Sequence, residues 1–270
     1  MPRDAISALL AEQGIEHGNI TEHRVAASNR PIYEFAGPAG DAAVDLWRAL
    51  REGTEETGYW PLICGEYEPI NDEAFAELLQ EAGRDGVVAS ALATGMNIDV
   101  RDWFDQRLRQ FEEDQEIEAA EEGEDEPAYS VVGTWPESSD AEPADSFAIP
   151  VVRRDGQALT AARFLLVPTV RPWQVLAYIP NGGWNACPQP EEHVAIHRSW
   201  HNRFGAEIVG MTQSIIEMRV ARPPDTRETA TALAWEHYLY CEDIVTQGVG
   251  SIADLAAGLL ESGTWYFRWD

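Results

Sequence analysis

The chain has no lysine, and all 19 of its basic residues are arginine. Against them stand 47 acidic residues, so the formal net charge at pH 7 is -28. Because like charges repel, this excess disfavours binding to the phosphate backbone of nucleic acids. Two interpretations remain open: an acidic surface offered to a basic partner, or a compositional bias that also favours solubility.

Cysteine is scarce as well, since only Cys64, Cys187 and Cys241 are present and no CxxC spacing occurs. These three distant residues predict neither a disulfide framework nor a structural zinc site. No apolar run approaches the roughly 20 residues that span a bilayer, so we expect no membrane segment. The first residues, MPRDAISALLAEQG, lack the pattern of a signal peptide, which predicts a cytoplasmic protein.

The acidic residues are concentrated in one part of the chain. Residues 112–146 contain 14 acidic residues and no basic one, which is half of the net charge. The two flanking parts have net charges of -11 for residues 1–111 and -3 for residues 147–270. Such a composition buries too little apolar surface to offset its ordering entropy. It predicts a flexible acidic insertion over residues 112–146.

The apolar patterns on either side predict an α+β fold, a mixed sheet of about five or six strands packed by helices and interrupted by a long acidic disordered insertion. An N-terminal helix and hairpin occupy residues 1–40, residues 41–111 begin the α+β domain, and residues 147–270 form its main part. In this main part we predict strands at Arg163–Thr169, Trp173–Ile179, Ala206–Met211, Ile215–Val220 and Thr264–Trp269.

Several dense motifs carry a resemblance to a known family. They are TGYWPLI from Thr57, GWNACP from Gly183, RSWHNRFGA from Arg198, ARPPDTRETATALAWEHYLYC from Ala221, and the terminal WYFRWD. With these motifs the chain resembles the uncharacterised bacterial family "domain of unknown function 4253" over roughly residues 41–111 and 163–270. The resemblance implies one cytoplasmic α+β unit and brings no established activity, cofactor or catalytic residue. His197 and His201 depart from the pattern expected of that family.

Three histidines, His193, His197 and His201, recur at intervals of four on one predicted helix. Side chains four apart share a helix face, so two neighbouring histidines can reach one metal ion. The third lies about 12 Å from the first along the helix, too far to join them easily. The alternative is that these rings flank a packing stripe, which we favour over a metal site.

His237 and Cys241 are also four residues apart on a predicted helix. An imidazole beside a thiol is the usual means of activating a cysteine nucleophile. However, both residues continue an apolar stripe with Leu233 and Ala234, which indicates a core position instead. They are therefore weak catalytic candidates.

A further set of residues has the chemistry of ligand or partner contacts: Trp184, Asn185, Arg198, Trp200 and Arg203. Arginine binds planar anions bidentately, and tryptophan is common at the centre of protein interfaces. The alternative for the two arginines is structural ion pairing with acids such as Glu207 or Glu236, which we favour.

No motif combines a nucleophile, a base and an orienting group, and no phosphate-binding glycine loop is present, so no cofactor is expected. The leading hypothesis is a non-enzymatic cytoplasmic module, immunity-like or regulatory, that binds a basic protein partner. The alternative is an enzyme of unidentified class with a pocket near His237 and Cys241.

Overall fold

A computed structural model of the chain describes residues 2–15, 20–26, 28, 30–66, 73–121, 131–137, 146–151 and 157–270. Its first part is mainly helical, with three strands. The elements are α1 Pro2–Glu12, β1 Thr21–His23, β2 Ile32–Gly37, α2 Asp41–Glu52, α3 Thr54–Thr57, β3 Trp60–Glu66, α4 Glu73–Ala82, α5 Val87–Asn97 and α6 Val100–Glu121.

The second part supplies four strands and the helices that cover them. The elements are β4 Ala162–Val167, a 3-10 turn at Pro172–Gln174, α7 Val175–Tyr178, α8 Pro190–Phe204, β5 Ala206–Met211, β6 Ile215–Val220, α9 Arg227–Tyr240, a π-helical turn at Val245–Val249, α10 Ile252–Leu259 and β7 Thr264–Arg268. The predicted α+β class is confirmed.

The described residues form one mixed sheet of seven strands in the order β1-β2-β4-β3-β5-β6-β7. All neighbouring strands are antiparallel except β3 and β5, which are parallel. Every residue of β4 is buried, as expected for an interior strand covered on both faces. The sheet is larger than the predicted five or six strands because the N-terminal hairpin and β3 join the same sheet as the C-terminal strands.

The prediction of a strand at Trp173–Ile179 is wrong. Pro172 begins a 3-10 turn there, and α7 continues from Val175 to Tyr178. A proline fixes its own φ near the helical value and favours the first turn of a helix. The segment is short and almost wholly buried. Its apolar run therefore shows no hydrophobic periodicity that would distinguish a strand from a helix.

The two faces of the sheet carry different layers. Directly opposed residues of neighbouring strands share a face, and Met218 on β6 lies opposite Trp265 on β7. That face packs against α8 and α9 through the stacked rings of Trp200 and Phe267, 5.4 Å apart. The opposite face carries Glu217 and is covered by α2 and by residues 146–151.

The segment predicted as a flexible acidic insertion is described in part. Helix α6 extends through Glu121. Residues 131–137 reach α10, where Ile252 N donates to the Val131 carbonyl at 2.8 Å. Residues 122–130 and 138–145 lie outside the described residues, so the flexibility of the insertion stays a prediction. Among the described residues, no helix has both the length and the apolar character that crossing a membrane requires.

Candidate functional site

The polar residues singled out in the second part meet where α8 and α9 pack on β7. Helix α8 begins at Pro190 behind a Gln189–Glu192 capping box and ends at Gly205, whose φ is 63°. Its four-residue spacing turns His193 and His197 toward α9, which presents Tyr240 to both. We call His193, His197, Tyr240 and Cys187 the histidine–tyrosine cluster.

The cluster is a continuous chain of hydrogen bonds with Tyr240 at its centre. The Tyr240 hydroxyl lies 2.6 Å from His193 Nδ1 and 2.9 Å from His197 Nε2. Cys187 Sγ lies 3.6 Å from the other nitrogen of His193. A hydroxyl has one proton, so it donates to one imidazole and accepts from the other. Because it faces Nδ1 of His193 and Nε2 of His197, the two rings then hold the same tautomer.

Burial keeps every member of the cluster uncharged near neutral pH. The exposed fractions are 0 % for His193 and 1 % for both His197 and Tyr240. Desolvation lowers the pKa of His197 to about 3 and that of His193 well below its ordinary value, with His197 contributing. Desolvation likewise raises the pKa of Tyr240 and brings that of Cys187 to about 12. A thiol in this state is a poor nucleophile, so the arrangement is suited to fixing α8 against α9.

His237 and Cys241 are sealed beneath the last strand. The ring of His237 lies 4.6 Å from that of Trp265 and 4.7 Å from that of Phe267. Its Nε2 has no hydrogen-bond partner in the described part of the chain. The Cys241 thiol donates to the Arg268 carbonyl at 3.0 Å, and burial is the main cause of its raised pKa. The structure therefore does not place the pair in a solvent-connected pocket.

The Cys241 contact belongs to a set of bonds that occupy the outer edge of β7. An edge strand otherwise offers unpaired backbone groups to other chains. Ser262 Oγ donates to the Thr264 carbonyl at 2.9 Å, and Asp270 N donates to Asp243 Oδ2 at 2.9 Å. With the thiol on Arg268, side chains of the same molecule take up much of this edge.

The three candidate metal ligands on α8 do not converge. His193 and His197 share the Tyr240 hydroxyl, whereas His201 Nδ1 lies 3.1 Å from the Ala206 carbonyl. Within the described residues, no group of three His, Cys, Asp or Glu side chains is arranged to hold a metal ion.

The candidate contact residues occupy different environments. Trp200 is fully buried and donates to Glu236 at 2.8 Å, so its side chain is not on the surface. Arg203 pairs with the same Glu236 at 2.7 Å, a structural ion pair of the kind favoured from the sequence. Arg198 donates to the Met96 carbonyl at 3.2 Å and is partly exposed.

Trp184 and Asn185 lie together in the loop that precedes α8. Asn185 is exposed, has a positive φ of 46°, and donates to the Asp270 carbonyl at 2.8 Å. This bond ties the loop to the end of β7. Trp184 is partly buried against the core. Of the five candidates, Asn185 is the most exposed.

The second part of the chain, with the histidine–tyrosine cluster inside it, has a known sequence relationship. Residues 163–270 match the family described as Domain of unknown function (DUF4253). We call this matched part of the chain the family domain. The match does not extend to residues 41–111, where a resemblance was also expected. No curated protein and no solved structure matches the chain.

The family domain contains two polar residues that the sequence did not single out. Tyr240 stands three residues after His237, but its role depends on α8, which the sequence does not place opposite it. Glu217 reads as an alternating position of a strand, yet its carboxyl is buried. The surroundings of Tyr240 and Glu217 are formed by residues that are distant in sequence.

Outside the family domain, helix α6 carries the most acidic surface that the structure describes. Its first half packs against the body, with the ring of Phe111 5.8 Å from that of Trp235 and 5.5 Å from that of Tyr238. From Glu112 to Ile117 every residue is exposed, and Ile117 is 57 % exposed. We call residues 112–117 of this helix the acidic arm.

The acidic arm is electrostatically unfavourable as an isolated helix end. It contains four acidic residues, Glu112, Glu113, Asp114 and Glu116, and no basic one. Glu112 and Glu113 lie one turn before Glu116, and like charges at such spacings oppose the helix by roughly 0.2–0.5 kcal/mol per pair. The carbonyl end of a helix also favours cations over carboxylates. Positive charge placed here would therefore stabilise the helix.

Proposed function

We propose that the protein is a non-enzymatic, protein-binding module, regulatory or immunity-like, and that its acidic arm binds a basic protein partner. The observation that carries the proposal is the exposed acidic stretch of α6 that follows Phe111, in which Glu112, Glu113, Asp114 and Glu116 stand with no basic residue among them. A basic partner would relieve the repulsion within the arm, and the exposed Ile117 would supply an apolar contact at its end.

The burial of the polar residues in the family domain supports this proposal over the enzyme alternative. His237 and Cys241 are 1 % and 0 % exposed, and the cluster at Tyr240 is equally enclosed. A nucleophile or base must come within hydrogen-bond reach of its substrate. The buried residues instead stabilise the packing of α8 against α9, which forms the scaffold for the acidic arm.

The state of the cysteines supports the expectation of a cytoplasmic location. Cys187 and Cys241 are free thiols, and both are buried. Free thiols persist in reducing compartments, whereas secreted proteins usually pair them.

The proposal is tested by capturing proteins from the native host with three forms of the full chain. The first is the wild type. The second neutralises the arm with Glu112→Gln, Glu113→Gln, Asp114→Asn and Glu116→Gln. The third, a control with the same change in charge, carries Glu55→Gln, Glu56→Gln, Glu228→Gln and Glu242→Gln, all at exposed positions.

We expect a basic protein to be captured by the wild type and the control, lost from the arm variant, and released by high salt. Equal capture by all three forms would show that binding does not use the arm. Capture by none of them would contradict the protein-binding proposal itself.

A further inference from the structure

Glu217 is a carboxylate buried within the sheet, and none of the described cations pairs with it. It is 2 % exposed and forms no ion pair with the described residues. Its two oxygens instead accept hydrogen bonds from the backbone, at 2.6 Å from Ala148 N and 3.0 Å from Ile149 N. A buried carboxylate without a counter-ion is unfavourable unless hydrogen bonds compensate.

Both donors belong to residues 146–151, which we call the return segment because it leads from the acidic region back to the body. Phe147 and Ile149 are buried against the sheet, 8 % and 4 % exposed. The methyl groups of Ile149 pack where Gly210 has no side chain, since an added Cβ would lie 3.2 Å from Ile149 Cδ1. Gly40 N also donates to the Pro150 carbonyl at 2.6 Å.

The return segment is thus held by buried apolar side chains and by backbone hydrogen bonds, two of which end on one ionisable group. We propose that Glu217 and the return segment form a pH-sensitive latch, in which docking of the segment buries the carboxyl and release returns it to water. This inference does not depend on the proposed basic partner.

The charged groups around Glu217 do not neutralise it. Arg219, two residues along β6, lies 3.1 Å from Glu207 on β5. Glu207 is also paired with Arg51 of α2. These two arginines are thus held by another carboxylate on the same face.

On β7, Tyr266 lies directly opposite Glu217. Burial raises the pKa of Tyr266, with Arg268 opposing the shift and Glu217 adding to it, so the phenol stays neutral. Arg268 pairs with Asp270 at 2.6 Å. The return segment itself, SFAIPV, has no ionisable side chain.

The direction of the switch follows from the burial of Glu217. Desolvation raises its pKa from 4.5 to about 7, opposed by the N–H groups of Ala148 and Ile149. Once released into water, the carboxyl returns toward its ordinary value. Docking therefore takes up a proton between these two values, and it weakens as pH rises through that window. The full difference corresponds to a change of about 300-fold in the docking equilibrium.

The test is hydrogen exchange of the full chain between pH 5.5 and 8, corrected for the intrinsic rate at each pH. Peptides covering residues 146–151 report release, and peptides covering β4 report global unfolding. We expect opening of the return segment to increase about 30-fold over this range. Glu217→Gln should remove the dependence, while Glu228→Gln at an exposed site should preserve it.

Opening that is independent of pH in the wild type, or unchanged in its pH dependence by Glu217→Gln, would overturn the latch. Exchange of the return segment at the same rate as β4 would do so too, because the segment would then open only with the whole fold. If Glu217→Gln does not fold, the wild-type comparison of these two regions still decides the matter.

Discussion

Replacing Tyr240 with phenylalanine removes one oxygen atom from the centre of the histidine–tyrosine cluster. The ring remains, so its contacts with Trp200 and Phe267, at 5.0 and 4.9 Å, are kept. What is lost are the hydrogen bonds to His193 and His197. Both partner nitrogens are then left buried and unsatisfied, each at about 1–3 kcal/mol.

We therefore expect Tyr240→Phe to lower the free energy of unfolding by about 2–6 kcal/mol, with an unchanged dependence on denaturant. The assay is urea unfolding followed by tryptophan fluorescence and by circular dichroism. Tyr266→Phe is the matched control, since that residue is 43 % exposed. It should change the free energy by less than about 0.5 kcal/mol.

A loss below about 0.5 kcal/mol for Tyr240→Phe would refute the structural role of the cluster. A normal stability combined with lost partner binding would also refute it, because the hydroxyl would then act in recognition. A structural role for the cluster requires that Tyr240→Phe lowers the free energy of unfolding without weakening partner binding by the acidic arm.

Three further predictions concern backbone geometry, pH and thiols. Gly182 has a φ of 115° and an added Cβ would lie 1.9 Å from the Pro188 carbonyl, so Gly182→Ala should destabilise the fold by about 1–3 kcal/mol in thermal unfolding. Gly258→Ala, where an added Cβ meets open space inside α10, should instead stabilise by about 0.5–1 kcal/mol. Burial is the main cause of the lowered pKa values of His193, His197 and His237, so unfolding takes up protons below pH 6.5. Each histidine should therefore remove about 1.4 kcal/mol of stability for each pH unit by which the pH falls, measured by urea unfolding. Native protein should react with a thiol reagent only as fast as it opens, because all three cysteines are buried, and rapid labelling would contradict this.

The sequence predicted helices best where caps and periodicity coincide. Pro190 and Gly205 bracket α8 as expected from their preferences at helix ends. The predicted strands at β5, β6 and β7 are confirmed. They were predictable because their apolar residues alternate or because clear turns bound them. The segment from Trp173 was misread because a short, fully apolar run has the same appearance in a strand and in a buried helix.

The candidate site was less predictable, since its properties depend on neighbours across the fold. The spacing of His193 and His197 correctly indicates a shared helix face but does not reveal Tyr240, which occupies the position a metal would need. Similarly, Glu217 occupies an ordinary strand position, and its burial becomes evident only once residues 146–151 are placed over it.

Recognition through the acidic arm is tested by measuring the affinity of the captured partner for wild-type protein and for the arm variant over a range of salt concentrations. We expect a steep loss of affinity with salt for the wild type, a weaker affinity for the arm variant, and a shallower salt dependence for that variant. Equal affinities and equal salt dependences would contradict recognition through the acidic arm.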